Sequence, residues 1–89
     1  MDTQTSNIIP ERLEELRQIV ADVLEREPEE IADTGDFRQA YEADSMRAIE
    51  ILSRIEKRYR VDIPQSELPT MRNLQAVYLL VERIAGWKE

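Results

Sequence analysis

Apolar residues recur at helical spacing in three separate stretches of this chain and lose that spacing between them. Leu13, Leu16, Val20, Val23 and Leu24 fall on one side of a 3.6-residue repeat, which predicts a first helix of roughly four turns. Pro10 suits its first turn, and Glu11, Glu14 and Glu15 place negative charge near the positive end of its dipole. Pro28 disfavours helical geometry at Glu27 and is expected to close it. Ala48, Leu52, Ile55 and Tyr59 make a second stripe flanked by Ile49 and Ile51, with Asp44 as its N-cap. Leu74, Val77, Tyr78, Val81, Ile84 and Ala85 make a third, with Thr70 as the expected cap and Gly86 as the stop.

Between the first two stripes the pattern fails. From Pro28 to Asp44, Ile31, Phe37, Ala40 and Tyr41 are isolated among Glu29, Glu30, Asp33, Asp36, Glu42 and Asp44, with Gly35 as a turn. This predicts a long ordered loop pinned by Ile31 and Phe37, with a short helical turn over Arg38 to Tyr41. Val61-Asp62-Ile63-Pro64 ends the second stripe, and Gln65 to Leu68 are expected to form a short helix before Pro69. Three amphipathic stripes without an alternating strand pattern imply an all-α fold, a small helical bundle around one apolar centre.

Composition narrows the chemistry. With 89 residues, 42% hydrophobic and 35% charged, the chain fits one small domain. Histidine and cysteine are both absent, which removes the usual general base, the thiol nucleophile, the commonest metal ligands and any disulfide. A self-sufficient enzyme is therefore not expected. A net charge of −7 argues against nucleic-acid binding. No apolar run approaches the roughly 20 residues of a membrane span, so no membrane insertion is expected and a cytoplasmic location is the default. The acidic Asp33-Thr34-Gly35-Asp36 segment lacks the alternating ligands and distal glutamate of a calcium loop, so no metal site is expected.

The residue that remains conspicuous is Ser45. It sits where the acidic loop meets the second long helix, between a carboxylate and an apolar side chain. A serine beside an N-capping aspartate is ordinary helix-start chemistry. Its surroundings point further. The run Glu42-Ala43-Asp44-Ser45-Met46, followed by Ala48-Ile49-Glu50-Ile51-Leu52 and by Tyr59-Arg60-Val61-Asp62-Ile63-Pro64, resembles acyl carrier proteins. Their signature is a Gly-Ala-Asp-Ser-Leu-like run that opens the second helix of a four-helix bundle. The resemblance extends from about Leu16 to Ile84. Two departures stand out: Glu42 replaces a usual glycine, so the turn before the serine is less permissive, and Met46 replaces the commoner leucine, a volume-conserving swap.

The resemblance implies a four-helix acyl-carrier-like bundle with three long helices, one short helix and a long loop between the first two long helices. It assigns residues 1–7 to a flexible N-terminus, 8–86 to the carrier domain and 87–89 to a C-terminal tail. It further implies that Ser45 receives 4′-phosphopantetheine from coenzyme A and carries acyl or polyketide intermediates as thioesters. A serine hydroxyl is a poor nucleophile without a base, so activation falls to a phosphopantetheinyl transferase. The thiol comes with the cofactor, which reconciles a cysteine-free chain with thioester chemistry. The implied partners are that transferase, an acyl-loading enzyme, and synthase or acyltransferase enzymes, all meeting a monomeric, non-catalytic carrier. Asp-Ser-Met also resembles the D-alanyl carriers, so an aminoacyl or D-alanyl cargo stays open. A helical adaptor without a prosthetic group is the alternative from another class.

Around Ser45, the candidate partner-recognition residues are Asp44, Met46, Arg47, Glu50 and Arg54. Met46 falls near Glu50, Ser53 and Lys57 on a helical wheel, away from the core stripe. Ser45 to Arg60 holds Arg47, Arg54, Lys57, Arg58 and Arg60 against Glu50 and Glu56, a local +3 in an acidic protein. Arg47, Arg54 and Arg58 share one side. They are expected to be a solvated face, to be balanced by Asp33, Asp36 and Glu42 of the acidic loop, or to meet partners with a less basic or acidic docking surface. Trp87 has no place in the periodic pattern.

Overall fold

The computed structural model describes residues 8–87; the expected flexible N-terminus at 1–7 and the last two residues of the expected tail lie outside the described residues. Helix α1 spans Pro10–Leu24, α2 Phe37–Tyr41, α3 Ser45–Tyr59 and α4 Leu74–Ala85. Two 3₁₀ turns, Pro28–Glu30 and Gln65–Thr70, lie in the connections. No strand occurs among the described residues.

The three long helices pack their stripes together. Leu16, Val20 and Val23 of α1, Ile51 and Ile55 of α3, and Leu74, Val77, Tyr78 and Val81 of α4 are buried in one cluster. Burial of each such side chain contributes roughly 1.5–3 kcal/mol, which makes this cluster the main support of a small fold.

Boundaries differ from expectation at three places. Helix α1 stops at Leu24, before Pro28 can act, because Glu25 turns left-handed (φ 58°) and the Glu25 amide donates to Asp22 O while that of Arg26 donates to Ala21 O. Thr70 does not cap α4. It closes the second 3₁₀ turn, and Asn73 is the cap, accepting from the Ala76 amide at 2.7 Å. The short helix expected over Gln65 to Leu68 runs on through Pro69 to Thr70, since a 3₁₀ turn tolerates a proline whose missing N–H has no required partner.

The long loop is pinned as its anchors predicted and by more. Ile31 and Phe37 are buried. The Tyr41 hydroxyl donates to Glu30 O at 2.9 Å and accepts from the Ala32 amide at 2.8 Å. It lies so close to Gly35 that a Cβ there would meet it at 2.9 Å, which explains a glycine at that point. Arg17 reaches over from α1 to Ile31 O and Asp33. The Phe37 amide donates to Arg72 O at 2.8 Å and the Gln75 amide to Asp33 O at 2.9 Å, which locks the loop to the start of α4. Together these contacts fix where α2 ends and α3 begins.

Candidate functional site

Helix α2 is capped by Asp36, whose side chain accepts from the Arg38 and Gln39 amides at 2.9 and 3.1 Å. It ends at Glu42, in a left-handed conformation (φ 57°, ψ 32°). The reversal buries Ala43 and delivers Asp44 to the start of α3. Asp44 caps that helix as expected, accepting from the Arg47 amide at 3.0 Å. Ser45 is therefore the first helical residue, and it is solvent-exposed. Among the described residues, the Ser45 and Met46 amides have no protein acceptor. Orphan amides at the positive end of a helix dipole favour a negatively charged group.

Ser45 stands on the rim of a cleft of about 630 Å³ between α2, the start of α3 and the segment around Leu68 to Arg72. The floor is apolar, with Phe37, Ala43, Ile51 and Met71; Arg38 and Arg72 stand with Ser45 and Asp44 at the edges.

The expected recognition residues divide between two directions. Asp44, Met46 and Glu50 are exposed beside or just beyond Ser45, and Met46 is 77% exposed. Arg47 turns toward α1, donating to Val23 O and lying 3.7 Å from Glu25. Arg54 pairs with Glu50 at 3.1 Å and reaches Asp22 at 4.0 Å, and Arg58 pairs with Glu15 at 3.2 Å. Carboxylates thus meet the arginine stripe, but not the expected ones of the acidic loop: Glu15 and Asp22 belong to α1, Glu25 to its C-cap and Glu50 to α3 itself. Of the acidic loop, Asp33 pairs with Arg17 and Asp36 with Arg72. The reason is rotational: the Arg47–Arg54–Arg58 flank of α3 faces α1, whereas the loop lies across the helix's N-terminal end. Ile49, which the stripe makes a core flank, is 39% exposed on the Met46 side. Its spacing of three from Met46 was the available signal.

A family model described as a phosphopantetheine attachment site matches residues 14–81. Polyketide-8 synthase acyl carrier protein 1 of Streptomyces avermitilis is 41% identical over 81 residues, covering 91% of this chain and 96% of that protein. An acyl carrier protein of Thermosynechococcus vestitus is 33% identical over 67 residues, covering 75% and 83%. A chain from the structure titled "The ishigamide ketosynthase/chain length factor" superposes with a TM-score of 0.76 at 35% identity, covering 89% of this chain and all of that one.

Proposed function

This chain belongs to the acyl carrier proteins, the family that carries a phosphopantetheine attachment site, and on that premise we propose that Ser45 is the residue joined to 4′-phosphopantetheine. The family's prosthetic group is covalently held, and the reading that fits the relatives best is a carrier of polyketide intermediates. The helical adaptor without a prosthetic group falls with the family match. The polyketide relatives also favour an acyl chain over a D-alanyl cargo.

The observation that carries the assignment is an exposed serine at the first position of α3, inside the matched segment, between a capping aspartate and an exposed methionine. The residues fit the group. Free amides at Ser45 and Met46 suit a phosphodiester, and the adjacent cleft offers an apolar floor. When bound, the group supplies a thiol on a flexible arm, to which intermediates are joined as thioesters. Asp44 holds the first turn of α3 so that the Ser45 hydroxyl faces solvent, where a transferase reaches it. The chain contains no histidine or cysteine, so the proton of the Ser45 hydroxyl is taken by a base of the transferase. The carrier is accordingly read as non-catalytic, monomeric and cytoplasmic, served by that transferase, an acyl-loading enzyme and synthase or acyltransferase enzymes. No described helix is long and apolar enough to cross a membrane.

The test is incubation with coenzyme A and a promiscuous phosphopantetheinyl transferase, followed by intact mass. The unaltered protein should gain one arm. Ser45→Ala should gain none while keeping its fold, because Asp44 remains as the cap. A full mass gain on Ser45→Ala would place the attachment elsewhere.

A further inference from the structure

Helix α4 begins on a buried side chain, Leu74, but α3 does not. Ser45, Met46, Ile49 and Glu50 are exposed and Arg47 and Ala48 half-buried, so Ile51 is the first residue of α3 to enter the core. The hydrophobic effect therefore does little to hold the turn that presents Ser45, and a helix end without buried contacts frays. Polar contacts have to hold it instead.

Asp44 supplies two of them. Its side chain accepts from the Arg47 amide at 3.0 Å and its carbonyl from the Ala48 amide at 3.1 Å. These bonds close the turn on itself without tying it to the body of the protein. The tie comes from the Arg47 side chain, which donates to Val23 O. Val23 O is one of the last four carbonyls of α1, which have no partner inside that helix. The Glu25 and Arg26 amides take up Asp22 O and Ala21 O, and Arg47 takes up Val23 O. The last turn of α1 has no basic residue of its own, so the cation that suits its negative dipole end comes from α3. Val23 is buried, which makes its carbonyl a fixed point. Glu25, 3.7 Å from Arg47 and exposed, adds only a solvent-screened pair; the charge-assisted bond to the carbonyl is the anchor.

The geometry points to Arg47 as a positioning residue for arm transfer: its amide closes the first turn of α3 onto Asp44, and its guanidinium fastens that turn to the end of α1. Ser45 and Met46 lie between these two fixed points and are thereby kept in one presentation. The inference rests on Ser45 as the attachment residue. Arg47, expected from the sequence to recognise partners, instead uses its charge inside the molecule and acts through Ser45. Without it, the first turn is left with the Asp44 cap alone, and the serine is presented in helical geometry by only a fraction of the molecules.

Two variants test this. Arg47→Met keeps an unbranched apolar stem and removes the donor, whereas Arg47→Lys keeps a cation. Each is compared with the unaltered protein by amide hydrogen exchange before modification, and by kcat/KM for arm transfer from coenzyme A with a promiscuous phosphopantetheinyl transferase at low and high salt. In Arg47→Met the amides at positions 47 to 49 should lose most of their protection while those of Val77 and Val81 in α4 keep theirs. Its kcat/KM should fall with the share of molecules whose turn has opened, roughly two- to five-fold, and equally at both salt concentrations. Arg47→Lys should recover part of both losses together. The role is overturned if protection at positions 47 to 49 or kcat/KM is unchanged in Arg47→Met, if protection falls equally in α4 or the whole chain unfolds, or if the loss of kcat/KM fades at high salt, the mark of a charge read by the partner. A wrong attachment residue shows itself separately, as a mass gain on Ser45→Ala, whereas the exchange measurement reads the clamp without any arm.

Discussion

Glu42 is the residue at which conformational cost and candidate chemistry meet. Glu25, Glu42 and Arg60 each end a helix with positive φ, but only Glu42 does so in the turn that delivers Ser45. A left-handed conformation costs a residue with a Cβ roughly 1–2 kcal/mol, and glycine avoids that at an unfolded-chain entropy cost of about 0.5–1 kcal/mol. Glu42→Gly should therefore stabilise the protein by up to ~1 kcal/mol. A higher urea midpoint at unchanged slope would show this; an unchanged or lower midpoint would mean that the glutamate side chain holds the turn. The departure from glycine was legible in the sequence, and so was its consequence for the turn. Tyr41 is less legible: the hydrophobic pattern makes it an apolar anchor, yet its hydroxyl bonds two backbone groups of the loop. Those groups come into reach only when the loop is folded.

At the scale of elements, periodicity located each long helix because each buries a continuous stripe, and burial is what periodicity records. Termini are set by single hydrogen bonds, which leave weaker marks. Thr70 and Asn73 are both acceptable caps in isolation. The contest is decided by the 3₁₀ turn that absorbs Thr70 and by the Gln75–Asp33 and Phe37–Arg72 backbone bonds, which anchor the chain on either side of Asn73. Asn73→Ala should cost ~1 kcal/mol in chemical denaturation and Thr70→Ala only a few tenths. The reverse order would restore Thr70 as the operative cap. The arginines of α3 show the same limit. Their common side was visible in the sequence, but what faces that side depends on how α1 is rotated, and no local pattern encodes that.

Across the whole molecule, the two ends of the bundle hold different chemistry. Ser45 begins α3 and Tyr59 ends it, ~21 Å away at about 1.5 Å per residue. At the Tyr59 end, Trp87 packs its ring against Tyr59 and Tyr78 at centroid distances of 5.1 and 5.4 Å, with the Arg12 guanidinium over it at 4.5 Å. Trp87, expected in the C-terminal tail, thus packs against the body. The Tyr78 hydroxyl accepts from the Ile9 amide at 2.8 Å, and that of Tyr59 donates to Glu15 at 3.0 Å. Burial, and then the bond to Glu15, push the Tyr59 phenol up to about 12 from an ordinary 10.0. Below pH 10 the phenol is neutral in folded and unfolded chains alike, and its contribution is fully present. Between pH 10 and 12 the unfolded chain releases the proton while the folded one retains it, so stability falls as pH rises. Every other group in the chain is common to a Tyr59→Phe variant, which should lose ~1 kcal/mol at neutral pH from the missing hydrogen bond and then decline less steeply. Fluorescence of the single tryptophan, Trp87, reports unfolding at this end. Parallel stability curves for the two proteins from pH 9 to 12 would remove Tyr59 as the source of alkaline sensitivity; a steeper curve for the unaltered protein assigns that sensitivity to the end of the bundle farthest from Ser45.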